Sequence, residues 1–574
     1  MRALSRYVAA ISHLGPRQAA LNLLHRARKR TRWYGRYARP GRGLEWQARA
    51  RTPLLAHSGG SRLGGGRFTA IGRTDAIGDP PDWDRQAPLL WLYNLHYFGW
   101  LAELPSDEQL RLVLDWIERY RPSGRRPGWW PYPLSLRLRH WARGMFDGQP
   151  LAPERPRLLP SVEAQADCLA DTLEHHLRGN HLLESAITLK LLAACVRGSA
   201  TRRWGRIADS VLDAEIGEQF LVDGGHFERS PMYHALLLHG LLDLVNVLPD
   251  EDEQRIRLVD RMPGLLHFLA GTCHPDGEIA LFNDAAFGIA PLPGELVAYA
   301  ARLGFEPPAP KPGSFPETGY HVWRKEADML VVDAGPIGPD YLSTHAHGDI
   351  FSYELSLNGR RVVVDGGTST YEAGDERSWV RSTRAHNTVE IAGADQCEFF
   401  GAFRVGRRGR PHDVSARASD DGFELSAWHD GYRRLSGRPV HRRELAYAPE
   451  GALAVWDMVA GSDPHAAISR IRFAPGARVL LTGERTAPIE TDGVGLVVAA
   501  FGGGLSLELD HYAPHFGERT ACPVLALHSR AGLEFGYVLA RRGLELQIDA
   551  AGAEIGGRTL ARPGRRRPPA GAPA

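Results

Sequence analysis

The strongest constraint on this chain is a change of hydrophobic period at one Pro/Gly-rich break, APKPGSFPETG, residues 309–319. Before it, from about Leu89 to Ala301, apolar residues recur at helical spacing in segments such as HLLESAITLKLLAACVRG and SPMYHALLLHGLLDLVNVLPD. After it the pattern alternates, beginning with YHVWRKEADMLVVDAGP. One core cannot serve both patterns, and 574 residues exceed what one ordinary core holds. The expectation is an α+β multidomain protein with a basic, extended N-terminal segment (1–84), an all-helical domain (85–310), an antiparallel β domain (318–560) and a disordered tail (561–574).

Charge narrows the function. With 69 basic and 67 acidic residues the formal charge is +2, which gives no global drive toward nucleic acid, so any anionic ligand must be held locally. The five cysteines are scattered and lack CxxC spacing, which argues against a disulfide framework or zinc ribbon. The N-terminus shows no convincing secretory signal, and no stretch approaches membrane-spanning length, so the expected location is cytoplasmic.

The stretch STHAHGDIFSYELSLNGRRVVVDGG, residues 343–367, reads as a β-hairpin turning at Asn358-Gly359. A regular register sets Leu357 opposite Arg360 and Ser352 opposite Asp365, which brings Asp365 toward the end that carries His347. His386 precedes another alternating run, Thr388–Ile391. Two imidazoles and a carboxylate at strand ends form a zinc-type set with one position open. They also suit backbone-bonded histidines and a turn-capping aspartate, the reading that spacing alone favours. His345 shares a face with His347 on an extended chain, whereas in a loop one could bind metal while the other faces substrate.

In the helical half, Ser230 is a good N-cap, Pro231 suits the first helical position, and Tyr233 falls in the first turn. The helix dipole and Arg229 would favour a tyrosinate and draw in a carboxylate ligand; the alternative is a core tyrosine. Gly179 breaks one helix, and Asn180 and His181 open the next, either as cap and surface residue or as an anion grip. Trp129, Trp130 and Tyr132 lie in WWPYPLSLR, where Pro131 and Pro133 suggest a loop; exposed rings beside Arg137 would suit acidic sugars.

Taken together, WWPYPLSLR, GNHLLES, DGGHFERSPMYH, HAHGD, VVVDGG and RAHNTVEIAG resemble, in that order, the heparinase II/III family of polysaccharide lyases, from about residue 85 to 410. The resemblance implies an (α/α) toroid followed by an antiparallel β-sandwich domain, with an acidic polysaccharide bound between them and cleaved by β-elimination. It implies that Asn180 and His181 hold the uronate carboxylate, that Tyr233 acts as base and then acid, and that His345 is the second acid/base. Glu184 would orient His181 or contact the sugar, and Arg229, Trp129, Trp130, Tyr132 and Arg137 would line the substrate path. It also implies a structural metal, zinc foremost, on His347, Asp365 and His386, with no organic cofactor. Tyr371 is the nearest counterpart of a second tyrosine found in some relatives, and the family also allows a periplasmic location. Rival readings are a uronate C5-epimerase, a non-catalytic polysaccharide-binding protein, and a glycoside hydrolase using Glu228 and Asp223.

Overall fold

The structure is a computed structural model that describes residues 6, 9–10, 12–13, 16–30, 32–38, 43–309, 311–530 and 532–563. The helical half is an (α/α) toroid. Its inner helices, Gly179–Cys195 and Pro231–Val247, are apolar on nearly every side; all of Pro231–Val247 except Leu236 is buried. A helix hydrophobic all round must have neighbours all round. Pro131–Gly144 and Thr201–Gln219 pack against the first of these, and Glu253–Thr272 and Pro293–Arg302 against the second. Outer helices such as Ser106–Arg119 bury one face only, through Leu112, Val113 and Trp116.

The β half holds antiparallel sheets of five, four and eight strands around a shared apolar core. Gly422–His429 and Val494–Phe501 alternate buried and half-buried residues, as expected when one sheet face packs inward. Tyr353–Leu357 is buried at every position, because both of its faces are covered. A third cluster, including Met232, Tyr233, Leu281, Val364, Tyr512 and Phe516, joins toroid to sandwich. Between the halves, residues 273–292 form neither helix nor strand and bring Asn283, at φ 55°, into that junction.

Several local expectations differ from the structure. WWPYPLSLR is not a loop: Pro131–Gly144 is helical, since prolines in a first turn forfeit only N–H groups that have no intrahelical partner. The hairpin turns at Asn358-Gly359 with Leu357 opposite Arg360, but a bulge between Arg361 and Val363 shifts the register beyond it. The N-terminal segment is not merely extended. It contains the Pro16–Arg30 helix and a three-stranded sheet, Arg62–Ala76, whose Phe68 packs edge-on against Trp91 and Trp100. Of the expected disordered tail, Ala561 ends a strand and Arg562 is buried against Glu444 and Glu534; residues 564–574 lie outside the described residues. All five cysteines are free thiols.

Candidate active site

A cavity of about 510 Å³ opens where toroid meets sandwich. Asn180, His181 and Tyr233 reach it from the starts of two inner helices, and His345 and Tyr371 from loops of the β half.

The Gly179–Cys195 helix begins sharply. Arg178 sits at φ 59° and Gly179 at φ 62°, and a Cβ on Gly179 would lie 2.7 Å from Glu228 Oε1, so the close approach requires glycine. The cap is supplied from another segment: the Asn180 backbone N–H donates to Glu228 Oε1 at 2.8 Å, and Asn180 Nδ2 donates to the same oxygen at 3.0 Å. Asn180 is therefore no N-cap; Glu228 takes that role at the positive end of the helix. His181 is held on two sides, with Nδ1 at 2.8 Å from Glu174 Oε2 and its ring stacked on Tyr132 at 4.0 Å.

The Pro231–Val247 helix starts as its sequence suggests. Ser230 Oγ accepts from the Tyr233 N–H at 3.3 Å, with Pro231 at the first position. Tyr233 Oη lies 3.1 Å from Tyr371 Oη, and the Tyr233 ring is 4.3 Å from that of His345. Burial, then the neighbouring Tyr371, pushes the Tyr233 phenol well above its ordinary pKa, so it is protonated in this state.

His345 is set by Asp284. Asp284 Oδ2 is 2.9 Å from His345 Nδ1 and Oδ1 is 2.9 Å from His347 Nε2, while Arg377 pairs with both oxygens. Burial pushes the Asp284 carboxyl up, but Arg377 and the hydrogen bonds from both histidines outweigh it and hold it well below the usual carboxylate range. A carboxylate only accepts, so the protons sit on His345 Nδ1 and His347 Nε2. The other His345 nitrogen, Nε2, faces Glu228 Oε2 at 3.3 Å. Asn283 secures the same loop: its Oδ1 accepts from the His347 N–H and its Nδ2 donates to the Arg229 carbonyl.

The tautomers define a candidate metal centre. Asp284 takes the His347 Nε2 proton, and Asp365 takes that of His386 Nδ1 at 2.9 Å. With both rings neutral, His347 Nδ1 and His386 Nε2 are the nitrogens left with lone pairs, and both are buried with no hydrogen-bond partner. Together with Asp349 they offer three donors within 4.8 Å of one another. Two partnerless imidazole nitrogens and a buried carboxylate fit a divalent cation of zinc type. The carboxylate differs from the sequence expectation: Asp365 bonds the far side of His386 and accepts from Ser352 Oγ at 3.1 Å, a place from which it would orient that imidazole toward a cation, while Asp349 faces the donor set.

Other expected substrate contacts lie elsewhere. Trp129 is buried and stacked on Trp116; Trp130 donates to the Gly124 carbonyl beneath Lys29. Arg137 is fully buried and bonded to Gln165, His96 O and Gly128 O. Arg229 donates to the carbonyls of Thr318, Phe227 and Glu317, which consume its guanidinium. Glu184 pairs with Arg139 at 2.6 Å rather than with His181. Of that group, Tyr132 lines the cavity. Sequence reasoning passed over Asp284, Asn283, Glu174 and Arg377, and weighed Glu228 only as a hydrolytic acid. Asp349 stood within HAHGD and could have been considered with its neighbours.

The pattern described as "Heparinase II/III N-terminus" matches residues 93–288, and "Heparinase II/III-like, C-terminal" matches residues 307–553. A heparin-sulfate lyase of Pedobacter heparinus is 28% identical over 264 residues, covering 41% of this chain and 38% of that protein. One from Bacteroides stercoris is 24% identical over 350 residues, covering 54% and 48% respectively. The chain thus spans less than half the length of these two curated relatives. A crystal structure of heparinase III superposes with a TM-score of 0.68 at 15% identity, covering 84% of this chain and 85% of the other, a likeness of fold.

Proposed function

The chain belongs to the heparinase II/III family, and from that premise we propose that it is a polysaccharide lyase that cleaves a uronic-acid-containing polymer by β-elimination. The observation that carries the reading is the convergence of Asn180, His181, Tyr233 and His345 on one cavity. The heparin-sulfate lyases among its relatives support the same reaction class.

The C5 proton of a uronate is weakly acidic, so its removal needs the C6 carboxylate neutralised and the enolate-like charge stabilised. Asn180 and His181, at the positive end of a buried helix, are the groups for that grip. Glu228 already accepts from the Asn180 donors, so the substrate carboxylate has to displace it or share them. Tyr233, protonated by burial, suits proton donation to the leaving O4. If C5–H and O4 lie on opposite faces of the sugar, His345 takes the first proton and Tyr233 donates; if they lie on one face, Tyr233 must first pass its phenolic proton to the adjacent His345 ring, and the tyrosinate then takes the C5 proton and delivers it to O4. Tyr371, hydrogen-bonded to Tyr233, would hold that oxygen in line. A divalent cation, zinc by its donor set, would be held by His347, Asp349 and His386 and would fix the loop carrying His345.

Charge in the cavity bears on the polymer. Among the described lining residues the arginines are Arg139, paired with Glu184 and Asp243, and Arg178, paired with Glu215 and Glu218. A sulfate placed there meets no uncommitted guanidinium, and an uncompensated charge in a low-dielectric site costs several kcal/mol. An unsulfated uronic-acid polymer should therefore be cleaved with kcat/KM at least about tenfold above a heavily sulfated one; equal rates would refute this selectivity.

Product analysis in D₂O tests the reaction itself. Elimination yields chains ending in a 4,5-unsaturated uronate. Deuterium at C5 without shortening would instead identify an epimerase, which could use the same two proton carriers. Asn180→Ala should lower turnover about a hundredfold with little loss of thermal stability, because Glu228 still accepts the backbone N–H of residue 180; turnover within a few-fold of native would remove Asn180 from the grip. His347→Ala should lose bound metal and melting temperature, whereas His345→Ala should lose activity and keep the metal, as elemental analysis would read.

A further inference from the structure

A second set of metal-capable side chains lies outside the cavity. His25, on the Pro16–Arg30 helix, meets Glu174 and His176, in the turn before the Gly179–Cys195 helix, with one donor atom from each within 4.8 Å of the others. Glu174 and His176 are each 6% exposed, and His25 is half-buried. The two imidazole rings lie 4.3 Å apart, and among the described residues neither is hydrogen-bonded. Burial pushes the Glu174 carboxyl up, but His181, Lys29 and His25 outweigh it and hold it at about 2, so it is ionised at neutral pH.

We propose that His25, Glu174 and His176 form a second divalent-cation site, of zinc type, that clamps the N-terminal helix to the turn carrying the His181 partner. Two imidazoles and one carboxylate from separated segments are the donors such an ion selects, with a fourth position left to water. The site differs in kind from the one at His347. Its histidine on the Pro16–Arg30 helix precedes the residues matched by the family patterns, and that half-buried position lets the ion exchange with solvent. Because Glu174 Oε2 faces His181 Nδ1 at 2.8 Å, an ion on the same carboxylate would restrain His181; only this link to the cavity rests on the lyase reading. Lys29, whose ammonium lies 3.5 Å from the centre of the Trp130 ring and whose charge acts on Glu174, opposes a second cation here.

Zinc content by elemental analysis and zinc titration by calorimetry on the full chain test the site without any assay of activity. His25→Ala and His176→Ala should each bind one zinc fewer per chain than the native protein, while His347→Ala loses a different one. His25→Ala, on a half-buried position, is the variant that keeps its fold, as its melting curve would verify. Lys29→Met should tighten the second zinc about tenfold or more, because one opposing charge is removed. Unchanged zinc stoichiometry in His25→Ala and His176→Ala would overturn the proposal, as would a second zinc indifferent to Lys29→Met.

Discussion

Tyr233→Phe is expected to lower turnover about a thousandfold or more, the scale of removing a positioned acid–base group, while substrate binding and melting temperature stay close to native. The substitution deletes one oxygen, whose polar contact is the Tyr371 hydroxyl 3.1 Å away, and leaves the ring in its apolar cluster. Steady-state kinetics together with binding of an uncleaved oligosaccharide would read both effects. Turnover within tenfold of native would take Tyr233 out of the proton-transfer role.

Asp284→Asn is expected to be the most damaging single change to the structure of the site. Asp284 and Arg377 are both fully buried, and stripping one partner from such a pair leaves an uncompensated charge, which costs about 3–5 kcal/mol. The amide cannot accept from Arg377, His345 and His347 together, so both tautomers lose their constraint and activity should fall with stability. The pH dependence has a defined sign. The folded-state carboxyl is held low by Arg377 and the histidines, against burial. Its stabilisation is therefore complete above the unfolded carboxyl value of about 4 and is lost as pH falls below it. Thermal melting against pH should show an acid limb for the native protein that is shallower in Asp284→Asn; identical limbs would mean Asp284 does not carry that linkage.

The difference between Tyr233 and Asp284 explains what the sequence could disclose. Tyr233 follows a serine cap and a first-turn proline, and both signals act within a few residues, so its place at a helix start was legible. His345 and His347 sit beside a hairpin whose Asn-Gly turn and alternating pattern are equally local. Asp284 lies in LFNDAAFG, an irregular segment with no period to read, and its partners are 61 to 93 positions away in the chain. Nothing local marks it. Arg137 and Arg229 differ from expectation for a related reason. Arg137 beside aromatics suggests an exposed sugar platform, and Arg229 beside a helix start suggests a carboxylate contact, yet backbone carbonyls of Gly128 and Thr318 claim the two guanidinium groups. The bulge in the hairpin, invisible to a count of alternating residues, likewise separates the register that was expected from the one that formed. The division into a helical half and an antiparallel β half followed from period alone, because a switch from helical to alternating burial leaves few architectures open; the toroid and the sandwich were implied by the family resemblance.

The most direct test of the proposed elimination is ultraviolet absorbance during incubation of the native protein with unsulfated uronic-acid polymers. Absorbance should rise in step with new reducing ends, since each cleavage creates one conjugated C4–C5 double bond, and should not rise with Tyr233→Phe. Reducing ends that accumulate without the absorbance would mean hydrolysis and would contradict the elimination chemistry assigned to this cavity.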